Sequence, residues 1–169
     1  MIEVRIDDLA FYEGEAIAWP VDASLGATTP LLRRVEQAGG DALAKRAPLV
    51  QPLPVGAAVV TTAGDLGVEL LIHAVVGSHE ERITRDTVRR ALVSAMQRAV
   101  DFQIGELAVA PFGIGAGNLD VEDSADVMVG VLQQHVARAP YPRSIVVIVE
   151  NPVEEAAWRA ALALTRGTR

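Results

Sequence analysis

Leu107-Ala-Val-Ala-Pro-Phe-Gly-Ile-Gly-Ala-Gly-Asn118 is the stretch whose reading decides the fold. An apolar strand runs directly into glycines at alternate positions, Gly113, Gly115 and Gly117, and a helical pattern begins near Asp120. Glycine lets backbone N–H groups turn toward a ligand with no Cβ in the way. A strand, a glycine loop and a helix start together form a recurrent cradle for phosphate. The spacing departs from both common nucleotide fingerprints. It reads G-x-G-x-G without a closing glycine, and no Gly-Lys-Ser/Thr follows. The loop also falls in the last third of the chain, whereas a dinucleotide-binding domain carries its loop after the first strand. Phosphate or diphosphate is expected here, but not NAD by the usual route. A plain tight turn is the competing reading of the same glycines.

Working outward from the loop, apolar runs alternate with helical patterns. Strands are expected at residues 3–6, 16–21, 57–61, 68–76, 106–111 and 144–149. Helices are expected from Thr29-Pro30, with Thr as cap and Pro at the first helical position, to Gly39-Gly40, and at 84–102, 121–137 and 152–164. The long helix at 84–102 sets Val88, Leu92, Ala95 and Met96 on one face. Strands alternating with helices predict a three-layer α/β/α sandwich around a central mixed sheet. In such sheets ligands gather at the carboxyl ends of strands, which is where the glycine loop falls.

With 169 residues, the chain is expected to form one domain, 1–169. Half the residues are apolar but only 4% are aromatic, so small aliphatic side chains must do most of the packing. The formal charge of −7 disfavours general nucleic-acid binding, which needs clustered cations. Arg33-Arg34 and Arg89-Arg90 read as isolated pairs on solvated helix faces. The chain has no cysteine, which excludes disulfides and thiol chemistry. The charged, alternating N-terminus is no signal peptide, and no apolar run is long enough to span a bilayer. A cytoplasmic protein without membrane contact is the expectation, and the many alanines leave an oligomer open.

In this order of elements the sequence resembles the macro domain family, which binds ADP-ribose. The family's Gly-Asp-Ile-Thr is matched by Asp7-Asp8-Leu9-Ala10, and its Asp-Ala-Ile-Val-Asn-Ala-Ala-Asn by Glu15-Ala16-Ile17-Ala18-Trp19-Pro20-Val21-Asp22. The segment 56–64 is similar to Gly-Glu-Ala-Val-Ile-Thr-Pro-Gly, and Ile72-His73-Ala74-Val75 matches the family's Ile-His-Ala-Val as it stands. Pro111-Phe112-Gly113-Ile114-Gly115-Ala116-Gly117-Asn118 looks like the loop that wraps the ADP-ribose diphosphate with backbone amides. The resemblance implies adenine contacts at Asp8 and Leu9. It implies diphosphate contacts at Gly113, Ile114, Gly115, Ala116, Gly117 and Asn118, and an adenine-end group at Asn151. Asp22 lies just after a strand, beside the expected cleft, where a carboxylate could hold a ribose hydroxyl or polarise a water.

The departures bear on chemistry. Trp19 and Asp22 replace the family's two asparagines, Ala27-Thr28-Thr29-Pro30 replaces its glycine-rich stretch, and Leu32 stands where hydrolytic members carry an acid. Gly117 replaces the aromatic that commonly closes over the phosphates. The expected function is binding of ADP-ribose or a related nucleotide diphosphate, with no cofactor. Two alternatives stand beside it. One is an ADP-ribosyl hydrolase with Asp22 as its acid, acting on modified protein or a small ADP-ribose derivative. The other is a degenerate fold kept as an oligomerisation or regulatory module, its pocket filled by Trp19. His73, inside an apolar strand, reads as a core histidine with a satisfied ring nitrogen. His79 and His135 have no partner at metal-ligand spacing, so no metal site is inferred. Asp120 and Asp123 read as caps of the helix after the loop, and Asn151 reads equally as the cap of the terminal helix.

Overall fold

A computed structural model describes residues 1–45, 49–115 and 118–166. Ala116 and Gly117 of the glycine loop therefore lie outside the described residues. Six strands form one sheet in the order β1-β6-β5-β2-β4-β3. They are β1 (Ile2–Ile6), β2 (Gly14–Asp22), β3 (Ala58–Thr62), β4 (Val68–Gly77), β5 (Glu106–Val109) and β6 (Ser144–Val149). Every pairing is parallel except that of β3, which lies antiparallel to β4 at one edge. The helices are α1 (Leu32–Ala38), α2 (Asp41–Ala44), α3 (Arg85–Asp101), α4 (Val121–Val136) and α5 (Pro152–Arg166). A single 3-10 turn, Leu9–Phe11, follows β1.

Alternation along β2 divides the core. Ala16 and Ala18 face the layer of α3, α4 and α5, where they join Met96, Met128 and Trp158. Ile17, Trp19 and Val21 face the opposite layer, with Leu9, Val35 and Leu43. The alanines on the first face let the three long helices approach the sheet closely. That is the α/β/α sandwich expected from the pattern.

Helix ends follow local chemistry. Thr84 caps α3 by accepting from the Thr87 N–H, and Thr87 Oγ1 accepts in return from the Thr84 N–H, a reciprocal capping box. Asp120 Oδ1 accepts from the Asp123 N–H at the start of α4. Only α1 begins later than its sequence implies. Thr29 Oγ1 accepts from the Leu32 N–H, but Pro30 and Leu31 form a turn and the helix starts at Leu32. The threonine's hydroxyl thus organises a bend before the helix, leaving residues 29–32 as a wall beside the sheet's edge.

Trp19 and His73 are neighbours across β2 and β4. Both are almost wholly buried, at 0% and 1% exposure. The Trp19 indole N–H donates to His73 Nδ1 at 2.9 Å, which fixes the imidazole hydrogen on Nε2. That nitrogen donates to Thr61 Oγ1 at 2.7 Å, and the hydroxyl donates onward to the Thr62 carbonyl at 3.0 Å. Every polar group of the relay has a partner, as a buried network requires. Trp19→Phe removes the hydrogen bond to His73 Nδ1. The expected loss is about 1–3 kcal/mol for breaking this buried bond, read as a lower urea midpoint with unchanged slope. An unchanged midpoint would show that the relay carries no stability.

Candidate functional site

Five strands point the same way, so their carboxyl ends meet at one edge of the sheet. The loops after β1, β5 and β6 lie side by side there, because those strands are neighbours. Between them and the 29–32 wall opens a cavity of about 680 Å³. Its floor and sides are mainly apolar, formed by Leu9, Leu31, Leu32, Ala110, Ile148 and Val121. Ile114 and Gly115 of the glycine loop form one wall, and Thr29 and Pro30 face them. A Cβ built on Gly115 would stand 3.4 Å from Thr29 Cγ2, so the two loops meet across the cavity's end. Trp19 is absent from the lining and sits in the core instead. The cavity is open.

The loop's conformation depends on two glycines. Gly113 has φ +80°, and a Cβ there would come within 2.6 Å of Val88 Cγ2. Gly115 has φ +142°. Between them the loop folds back on itself, with the Leu119 N–H donating to the Gly113 carbonyl at 3.0 Å and the Asn118 N–H to the Gly115 carbonyl at 3.1 Å. The amide of Asn118 thus closes the loop rather than facing the cavity. Among the described residues of the loop, Ile114 and Gly115 line it.

The other sequence-derived positions separate. Leu9 lines the cavity, while the Asp8 carboxylate lies in an adjoining hollow with Leu31, Arg34 and Glu150. Asp8 accepts from the Ala10 N–H through Oδ1 and pairs with Arg34 through Oδ2. Asp22 lines a different hollow, with Ser24, Leu53 and His79. Its Oδ1 accepts from the amides of Ser24 at 2.8 Å and Gly26 at 3.0 Å, so the carboxylate organises its own turn. Asn151 Oδ1 caps α5 at the Glu154 N–H, and Asn151 does not line the cavity.

Sequence reading gave no site role to the acids beside these positions, and took Asp120 as a helix cap. Asp7, Glu150 and Glu154 line the cavity at the ends of β1 and β6 and the start of α5, and Asp120 and Glu122 line it near the start of α4. Glu154 is 9% exposed and its Oε2 accepts from the Glu150 N–H at 3.0 Å. The signal was available: Glu150 directly follows β6, at the carboxyl edge where ligands gather. Desolvation at the cavity mouth, then repulsion from Glu154 and Asp8, push the Glu150 carboxyl above its ordinary value, against the pull of Arg34. No group of three or more His, Asp or Glu side chains among the described residues could hold a metal ion. None of the helices, over the same residues, is long and apolar enough to cross a membrane.

Comparison with known proteins agrees with this geometry. The Macro domain family model matches residues 29–128. The chain belongs to the macro domain family. An uncharacterized protein of Mycobacterium tuberculosis is 27% identical over 161 residues, covering 95% of this macro domain but 44% of the relative. This macro domain thus spans less than half the length of that relative. An uncharacterized protein of Aquifex aeolicus is 31% identical over 136 residues, covering 77% of this chain and 78% of its own. Among solved structures, the Oceanobacillus iheyensis macrodomain with ADP superposes with a TM-score of 0.83 at 12% identity, covering 99% of this chain and 93% of that one. The Trypanosoma brucei macrodomain in complex with ADP-ribose gives a TM-score of 0.80 at 12% identity, over 95% and 68%.

The raised Glu150 carboxyl makes a signed prediction. Its proton is held more tightly folded than unfolded, so stability falls as pH rises from the ordinary carboxylate range through the raised folded value, then levels off. Glu150→Gln removes that penalty. The variant should melt higher than the parent at neutral pH, with the difference closing below about pH 4. A difference that persists unchanged in acid would place its origin elsewhere.

Proposed function

We propose that this macro domain binds ADP-ribose or a related nucleotide diphosphate. The observation that carries the reading is the open cavity at the carboxyl edge of the sheet, walled by Ile114 and Gly115 and not filled by Trp19. Its volume lies within the ordinary range for small-molecule sites, roughly 300–1,000 Å³. The adenine ring packs between Leu9 and Ile148, with the Asp8 carboxylate at the adjoining hollow as acceptor for the exocyclic amine. The diphosphate lies along the 113–118 loop. Ile114 and Gly115 make the contact, and Gly113 and Asn118 hold the loop's shape.

Two features support binding over hydrolysis. The Asp22 carboxylate is taken up by the Ser24 and Gly26 amides and faces a hollow other than the cavity. Leu32 lines the cavity where an acid would be needed. The open cavity likewise favours a ligand-binding role over a degenerate fold whose pocket has been lost.

Calorimetry with ADP-ribose should give a saturable heat, and amide shifts should concentrate at Ile114 and Gly115. Gly115→Val strains a backbone at φ +142° and projects side chain toward Thr29. It should weaken binding by at least about tenfold, equivalent to about 1.4 kcal/mol, while the protein still unfolds cooperatively. No heat at millimolar ligand, with no shift at Gly115, sinks the reading.

A further inference from the structure

The cavity's charge is one-sided. Five carboxylates line it, from Asp7, Asp120, Glu122, Glu150 and Glu154, and no Lys, Arg or His is among its described lining residues. Two arginines on flanking elements are engaged by carboxylates outside the lining. Arg34 pairs with Asp8, and Arg85 pairs with Asp123 and Asp126. The positive pole of α4, which could serve an anion, already faces its own cap Asp120 and the first-turn acids Glu122 and Asp123.

A diphosphate in this cavity gains from loop amides and is repelled by the rim. A ligand carrying a positive charge beyond its phosphates converts that repulsion into attraction. The acids stand at both ends of the cavity, with Asp7, Glu150 and Glu154 at the ends of β1 and β6 and the start of α5, and Asp120 and Glu122 at the start of α4. With the adenine between Leu9 and Ile148, the attached group leaves from the other end, beside Asp120 and Glu122.

We infer that the ligand of this cavity is an ADP-ribosyl group attached to a cationic side chain, a guanidinium such as that of an ADP-ribosylated arginine, in preference to free ADP-ribose or a neutral conjugate. This rests on the proposed binding of ADP-ribose, and adds to it the charge of the group at the far end. The carboxylates serve as acceptors for the guanidinium N–H groups, the pairing that Arg makes best.

The test uses two peptides of one sequence, ADP-ribosylated on arginine in one and on serine in the other, together with free ADP-ribose. The arginine-linked peptide should bind several-fold more tightly than the serine-linked peptide at low ionic strength, and the advantage should shrink as salt is added. Free ADP-ribose should show the opposite trend, its affinity rising with salt as repulsion is screened. The pairs Asp120→Asn with Glu122→Gln, and Asp7→Asn with Glu150→Gln, neutralise one end each while keeping shape. Asn retains the cap of α4. The Asp120–Glu122 pair should abolish the arginine advantage while leaving serine-linked binding as tight or tighter, and the Asp7–Glu150 pair should leave the advantage in place. Equal affinity for the two peptides, or an advantage that survives both pairs, overturns the inference and leaves ADP-ribose binding standing. Failure of all three ligands to bind the parent and both variants overturns the ADP-ribose reading and this inference with it.

Discussion

Strand β2 is hydrogen-bonded on both sides by parallel partners, β5 on one and β4 on the other. Most of the architecture depends on that constraint. Residues 16–21 of β2 are all buried, so each of its side chains must belong to one of two packed layers. β4 reaches β5 by a crossover, the long helix α3 stacked on the alanine face, whereas β2 reaches β4 through the short α1 and α2 on the opposite face and the edge strand β3. With β1 and β6 added in the same sense, five strand ends and their loops are gathered at one edge. The cavity is a consequence of that gathering. It forms where the neighbours β1, β6 and β5 end, and the end of β2 falls outside it, which is why Asp22 lines a separate hollow.

The sheet and its three long helices were legible because periodicity reports burial directly. The strand at 144–149 is bounded identically by pattern and structure, and the helix expected at 84–102 runs from Arg85 to Asp101. The edge elements were less legible. The short helix Asp41–Ala44 and the turn Leu9–Phe11 have too few residues to show a period, and Thr29-Pro30 carries a helix-start signal used instead for a bend. At the site, the loop was legible because it directly follows a strand, and Leu9, which the family resemblance implied, lines the cavity. What could not be read was direction. Asp8, Asp22 and Asn151 carry side chains that suit ligand work and backbone capping equally, and in the structure each caps a nearby amide. A carboxylate within reach of a free local N–H is taken by it, because that bond needs no partner from elsewhere in the chain.

Trp19 shows how a large substitution leaves a pocket intact. Position 19 lies on the face of β2 that carries Ile17 and Val21, so its ring is directed into the layer under α1 and α2 rather than toward the loops. The extra volume fits because the neighbouring sheet positions there include Ala108 and Ala110. Its one polar atom would still have been an orphan. The register Trp19↔His73 supplies an acceptor from the adjacent strand, and Thr61 on β3 receives the hydrogen displaced to the far side of the ring. The tryptophan, the histidine and the edge-strand threonine therefore form one unit.

Local capping also bears on the proposed phosphate binding, which would depend on the loop rather than on the helix behind it. A helix start offers free amides and a positive pole, but α4 opens with Asp120 as its cap and places Glu122 and Asp123 in its first turn. Arg85 is engaged with Asp123 and Asp126, which ties α3 to α4 without lending charge to the cavity. An anion approaching this edge meets a pole that local carboxylates have already neutralised. What remains for it is backbone: the Ile114–Gly115 wall, held in shape by the bonds that close the loop. A site whose attraction for phosphate comes from neutral amides and whose charged groups are all acids will bind phosphate only weakly on charge grounds. Its selectivity then rests on shape at the apolar walls and on the sign of whatever lies beyond the phosphates.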